Sequence, residues 1–144
     1  MLVAHGTYIM VVDGAKRSLF RNRGNDFAPD LELIDHRENH TETTADLGSD
    51  KPGRSFQSAG NGRSAHESTD YHQQEEDRFA NAAADQLNVV LTDSVGGILI
   101  APPHVLGVMR KRLNPDVRAR ITAEIAKDYA GRSVADISAM LVSL

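Results

Sequence analysis

Three sets of residues in this sequence could carry chemistry: Asp13 after an apolar run, six scattered histidines, and the arginine-bearing turn Gly60-Asn61-Gly62-Arg63. Each would do something different. A two-metal nuclease places a first carboxylate where Asp13 stands, at the end of TYIMVVD, but needs several acids converging on metals about 4 Å apart. The later apolar run ends in IAPP and brings no second carboxylate. Asp13-Gly14 therefore reads as a hairpin turn. His5, His36, His40, His66, His72 and His104 show neither HExxH nor H-x-x-H spacing. His36 and His40 are four apart, but where a strand runs out into a loop. Surface histidines and no metal site are the expectation.

The turn has more physical content. Two glycines free the backbone for positive φ and close approach, and an exposed arginine offers a two-pronged fork to phosphate. A loop leading into a helix N-terminus makes an anion cradle. Clusters of Gly, Asn and Ser also form idle connections, so the surrounding elements matter. Neither G-x-S-x-G, a phosphate-binding P-loop nor a dinucleotide fingerprint is present. No catalytic residue and no cofactor are expected.

The elements that must position this turn follow from apolar spacing. Thr7 to Val12 is apolar on both faces, as in a central strand. Ala15 to Arg21 follows the Asp13-Gly14 turn as a second strand. Leu31 to Arg37 alternates as a third, with Leu31 and Leu33 on one face. From residue 38 to residue 68 almost nothing but Leu47 and Phe56 could be buried. A loop this long is either functional or flexible. Asp70, with Gln73 three residues on, reads as the N-cap of the next helix, and Glu75, Glu76 and Asp77 favour the positive end of its dipole. Phe79, Ala83, Leu87 and Val90 form its apolar stripe.

Beyond it, VGGILIAPP is a short strand, with Ile98–Ala101 opening a parallel part. HVLGVMRKRL is a short helix with Val105, Leu106 and Met109 inward. Ile121, Ala123 and Ile125 alternate as in a strand, although the segment is long enough for a helix. Ser133 caps a last helix that uses Val134, Ile137, Met140 and Leu141. The order β-β-β-α-β-α-β-α predicts an α/β fold: a mixed five-stranded, ribonuclease H-like sheet in one domain spanning residues 1–144.

Arg110, Lys111, Arg112, Arg118 and Arg120 gather around the second helix. They either satisfy its C-terminal dipole and nearby acids or form an RNA-backbone patch. The 144 residues carry a formal charge of −4, which fits a local patch better than generalised nucleic-acid binding. The absence of cysteine excludes disulfides, thiolate catalysis and zinc-thiolate sites. No run approaches the roughly 20 apolar residues of a membrane span. The first residues lack the basic start of a signal peptide. A cytoplasmic location is expected, with no membrane partner and no DNA specificity.

The segments YIMVVDGAKRSLFRN, DKPGRSFQSAGNGRSAHESTDYHQQEEDRFA, LIAPPHVLGVMRKRL and AEIAKDYAG carry a resemblance that covers nearly the whole chain. It is to bacterial host attachment proteins, a family similar to the middle domain of archaeal and eukaryotic peptide-chain release factors. The resemblance implies the ribonuclease H-like topology. In those release factors a Gly-Gly-Gln-Ser-Ala turn precedes a long helix and enters the peptidyl-transferase centre. Asn61-Gly62-Arg63-Ser64-Ala65 stands in the comparable place here. Glutamine offers a neutral amide that helps position water against an ester; arginine is larger, permanently charged and has no acceptor. The resemblance with this departure points to an RNA- or ribosome-associated binding domain using Arg54, Gly60, Asn61, Gly62, Arg63 and Ser64, with Arg110, Lys111 and Arg112 as a second contact. The alternatives are a hydrolase of peptidyl-tRNA or another nucleic-acid ester, and an interaction module linked indirectly to host attachment.

Overall fold

A computed structural model describes residues 1–39, 65–92 and 95–144, with backbone alone over 65–69. Strands β1 (Tyr8–Val12), β2 (Lys16–Asn22) and β3 (Leu31–Glu38) are joined by short turns. Helix α1 (Ala65–Val90) leads to β4 (Gly97–Ile100), α2 (Pro103–Arg112), α3 (Pro115–Arg120), β5 (Ile121–Ile125) and α4 (Val134–Ser143). The sheet order is β3-β2-β1-β4-β5. β1–β2 and β2–β3 are antiparallel, whereas β1–β4 and β4–β5 are parallel. This is the mixed ribonuclease H-like sheet that the strand order predicted.

Alternate residues of the central strands feed two cores. Met10, Val12, Leu19 and Leu99 pack under α1 and α2. Ile9, Val11, Phe20, Ile98 and Ile100 pack under α4. β4 is buried throughout and β1 from Ile9 to Val12 because helices cover both faces. The inward residues of α2 are Val105, Leu106 and Met109, as their spacing requires. In α4, Ile137, Met140 and Leu141 are buried, but Val134 in the first turn is exposed. Ser133 caps that helix by accepting the Asp136 N–H at 3.1 Å.

Besides the exposure of Val134, two expectations are corrected. α1 begins at Ala65, so Asp70 lies inside the helix and is not its N-cap. Nothing between Ala65 and Val90 is Gly or Pro, and the Ala, Glu and Gln content favours helix throughout. Asn114-Pro115 starts the extra short helix α3, with proline in the first turn. Leu33 lies opposite Phe20, on the same side as Leu31, yet is 53% exposed because β3 is the sheet edge.

β3 also carries a bulge. Leu19 pairs with Asp35 and Phe20 with Leu33, so Ile34 is the extra residue. In an unbroken strand Leu31, Leu33 and Asp35 would share a face. The bulge instead turns Asp35 to the α1 side.

Candidate functional site

Three alanines set α1 close to the sheet: Ala80, Ala83 and Ala84 are at most 1% exposed. At one end Leu91 fills the space over Gly97, where a Cβ would lie 2.7 Å from its Cδ1. At the other end Glu76 covers Gly14, whose Cβ would lie 2.7 Å from the Glu76 Cδ. The helix therefore reaches the C-terminal ends of the parallel strands near Glu76. The part of α1 before Glu76 continues for about 16 Å at 1.5 Å per residue. Asp70, Tyr71, His72, Gln73 and Gln74 all have exposed side chains. Residues 60–64 precede the arm in the chain.

The root of the arm is tied to α2. The Gln73 amide donates to the Asp77 Oδ1 at 2.9 Å, and the His104 Nε2 lies 2.8 Å from the same oxygen. Pro103 opens α2 and fixes the place of His104. Sequence reasoning treated Asp77 as a dipole partner and His104 as a surface histidine. No motif links residues this far apart, and only the packing of α2 against α1 joins them.

The basic cluster is split by its neighbours. Arg110 pairs with Glu124 at 2.7 Å. Arg112 forms a fork on Asp85, at 2.9 and 3.2 Å, and this hydrogen bond raises its pKa further above the ordinary arginine value. Lys111 has no ion pair among the described residues and borders a cleft of about 350 Å³ with Asp77, Asn81, Val108 and Arg112. Arg120 donates to the Leu91 carbonyl at 3.0 Å, joining the end of α3 to the end of α1. Arg54, Gly60, Asn61, Gly62, Arg63 and Ser64 lie outside the described residues.

Asp13 is a turn residue. Its Oδ1 accepts the N–H groups of Ala15 and Lys16 at 2.7 and 2.8 Å. Among the described residues no cluster of His, Asp and Glu is arranged to hold a metal ion. The side chains of His5, His36, His72 and His104 are exposed, while His40 and the His66 side chain lie outside the described residues.

On the outer part of the α1 face, the bulge creates a polar network. Gln86 donates to Asp35 at 2.9 Å and accepts from the Arg17 Nε at 3.3 Å. The Arg17 guanidinium lies over Phe79, 5.0 Å from the ring centroid. Burial lowers the Arg17 pKa, opposed by Asp35 and aided by Arg37. Burial pulls the Asp35 carboxyl upward, but the Gln86 hydrogen bond, Arg37 and Arg17 outweigh it and leave the pKa below the ordinary 3.8. A depressed carboxyl stabilises the fold above the unfolded-state pKa and loses that contribution as pH falls through the lower folded value. The urea midpoint of the wild type is therefore expected to drop between pH 5 and about pH 3, through this and other acids. Asp35→Asn should lower the midpoint at pH 7 and flatten that fall. An unchanged acid limb would show that Asp35 is not held as an anion.

Residues 6–141 match the family model of Bacterial archaeo-eukaryotic release factor family 12. The chain belongs to this family. Among curated proteins no match is found. The family match runs from just before β1 into α4, so the sheet, the arm and residues 60–64 all fall within it. Among the described residues no helix is long and apolar enough to cross a membrane.

Proposed function

We propose that this release factor-like chain is a translation-associated protein of the cytoplasm that binds RNA or the ribosome. The observation that carries the reading is the exposed N-terminal arm of α1 in a member of this family. A helix with five successive exposed side chains contributes little to the core and is suited to presenting what precedes it. What precedes it is Asn61-Gly62-Arg63-Ser64. Arg63 supplies a permanent fork for phosphate, Gly60 and Gly62 allow the backbone to approach, and Arg54 adds a second charge. Arg110, Lys111 and Arg112 form a further contact, led by Lys111, whose ammonium is not tied to a carboxylate among the described residues. A connection to host attachment follows indirectly, through translation, rather than through contact with a host.

Arg63→Ala tests the reading. In this reading Arg63 is a surface contact, so stability should change by no more than about 0.5 kcal/mol. RNA affinity should weaken, and the slope of log affinity against log salt should shrink by about one unit. Arg63→Gln restores the amide of release factors without the charge. It should leave RNA affinity low; release of peptide from peptidyl-tRNA by this variant would favour the hydrolase alternative. Unchanged affinity and salt slope in Arg63→Ala would defeat the phosphate-contact role.

A further inference from the structure

The parallel strands β1, β4 and β5 end on one edge of the sheet, the edge from which the α1 arm projects. A second group of cations lies on that edge, on the α4 side of the sheet. Lys16 opens β2, directly after the β1–β2 turn, and its Nζ lies 3.9 Å from where a Gly131 Cβ would stand. Lys127 follows β5 by two residues, and its N–H returns to the Ile125 carbonyl at 3.0 Å. Arg132 closes a turn onto the Tyr129 carbonyl at 3.0 Å and lays its guanidinium over the Tyr129 ring, 4.9 Å from the centroid. Tyr129 is half-buried against the core under α4. Lys127, Tyr129, Arg132 and Asp136 border an open cleft of about 400 Å³.

This is more than a scatter of surface charge. Tyr129 is fixed by the core, Arg132 is fixed by Tyr129, and the guanidinium therefore shows a flat outer face. Such a plane stacks on a nucleobase, while flanking cations take the phosphates on either side. Lys16 and Lys127 have no ion pair among the described residues. The opposing carboxylates are Glu38, across from Lys16 on β3, Asp128 and Asp136; Asp136 reaches Arg132 only at 4.0 Å, at the outer limit of an ion pair. An exposed pair at that separation is weak and easily exchanged for phosphate.

We propose that Lys16, Lys127 and Arg132 form a single-stranded RNA contact, with Arg132 as the stacking plane. The inference rests on the RNA-binding reading above and extends it from the α1 arm to the opposite face of the same sheet edge. One strand passing over the edge would meet both.

The test uses the full chain and a fluorescent twelve-nucleotide oligouridine, with anisotropy titrations at several salt concentrations. Lys16→Gln combined with Lys127→Gln should reduce the salt slope by about 1.4, from about 0.7 per phosphate contact on a single strand. Arg132→Lys keeps the charge and loses the plane, so affinity should fall roughly five- to tenfold with the slope unchanged. Arg23→Gln, whose wild-type residue pairs with Glu32 at 2.7 Å at the other end of β2, should bind like the wild type. Wild-type binding that neither the double variant nor Arg132→Lys alters would overturn this contact and leave the arm reading standing. A wild-type chain that binds neither oligouridine nor ribosomes in sedimentation would overturn both.

Discussion

Asn22→Ala is expected to be the most destabilising single substitution of a polar residue, costing about 3 kcal/mol. Asn22 is wholly buried at the end of β2. Its amide donates to the carbonyls of Val3 and Ala4 at 2.8 and 3.3 Å. Its carbonyl oxygen accepts the N–H groups of Gly24 and Asp30, both at 2.8 Å. One side chain thus joins the segment before β1 to the turn before β3. Truncation would break one buried and three part-buried hydrogen bonds to the backbone, and a buried group left unpaired costs about 1–3 kcal/mol before relaxation. The thermal midpoint should fall by about 10 °C for a chain of this size. Asn25→Ala is the comparison: Asn25 also accepts two turn N–H groups, from Phe27 and Ala28, but is exposed. Water can replace those bonds, so its loss should cost under about 1 kcal/mol. Equal losses from the two variants would contradict the role given to burial.

His72→Pro should have the largest effect on function with little effect on stability. Proline inside a helix removes one backbone hydrogen bond and clashes with the preceding turn, at about 3 kcal/mol if the helix is retained. Position 72 lies in the exposed arm, where unwinding sacrifices few tertiary contacts. The arm should therefore come apart and the body remain folded. Far-ultraviolet circular dichroism should show the loss of a turn or two of helix, with the melting midpoint within about 3 °C of wild type. Ribosome sedimentation and RNA binding should weaken at least tenfold, because the proposed contact needs a helical arm. His72→Ala, which removes the same side chain and favours helix, should bind normally. Full binding by His72→Pro would remove the arm from the proposed mechanism. A midpoint fall as large as that of Asn22→Ala would instead mean that the arm packs on the body.

Local patterns carried the fold a long way. The unbroken apolar run before Asp13 and the run before Pro102-Pro103 belong to strands covered on both faces, and only buried strands tolerate such composition. Val105, Leu106, Met109, Ile137, Met140 and Leu141 were legible because helix period alone places them inward. The long α1 was legible in its stripe but not at its start. Asp70 and Gln73 satisfy a capping pattern locally, and no neighbouring residue reveals that the preceding turns are helical as well. Asn61-Gly62-Arg63-Ser64 lies outside the described residues, so its reading rests on the sequence alone.

What the sequence determined by itself is therefore the order of elements and most of their inward faces. Tertiary structure alone decided the rest. It turned Asp35 toward Gln86 through a bulge at Ile34, buried Asn22 as a hub, set Asp77 against His104, and engaged Arg110 and Arg112 with carboxylates while leaving Lys111 outside any ion pair among the described residues. It also brought Lys16 beside Gly131 on the edge shared by β1 and β5. The physical reason is common to all of these. Periodicity reports how a residue sits relative to its own element, whereas hydrogen bonds and ion pairs depend on distances of about 3 Å between elements far apart in the chain.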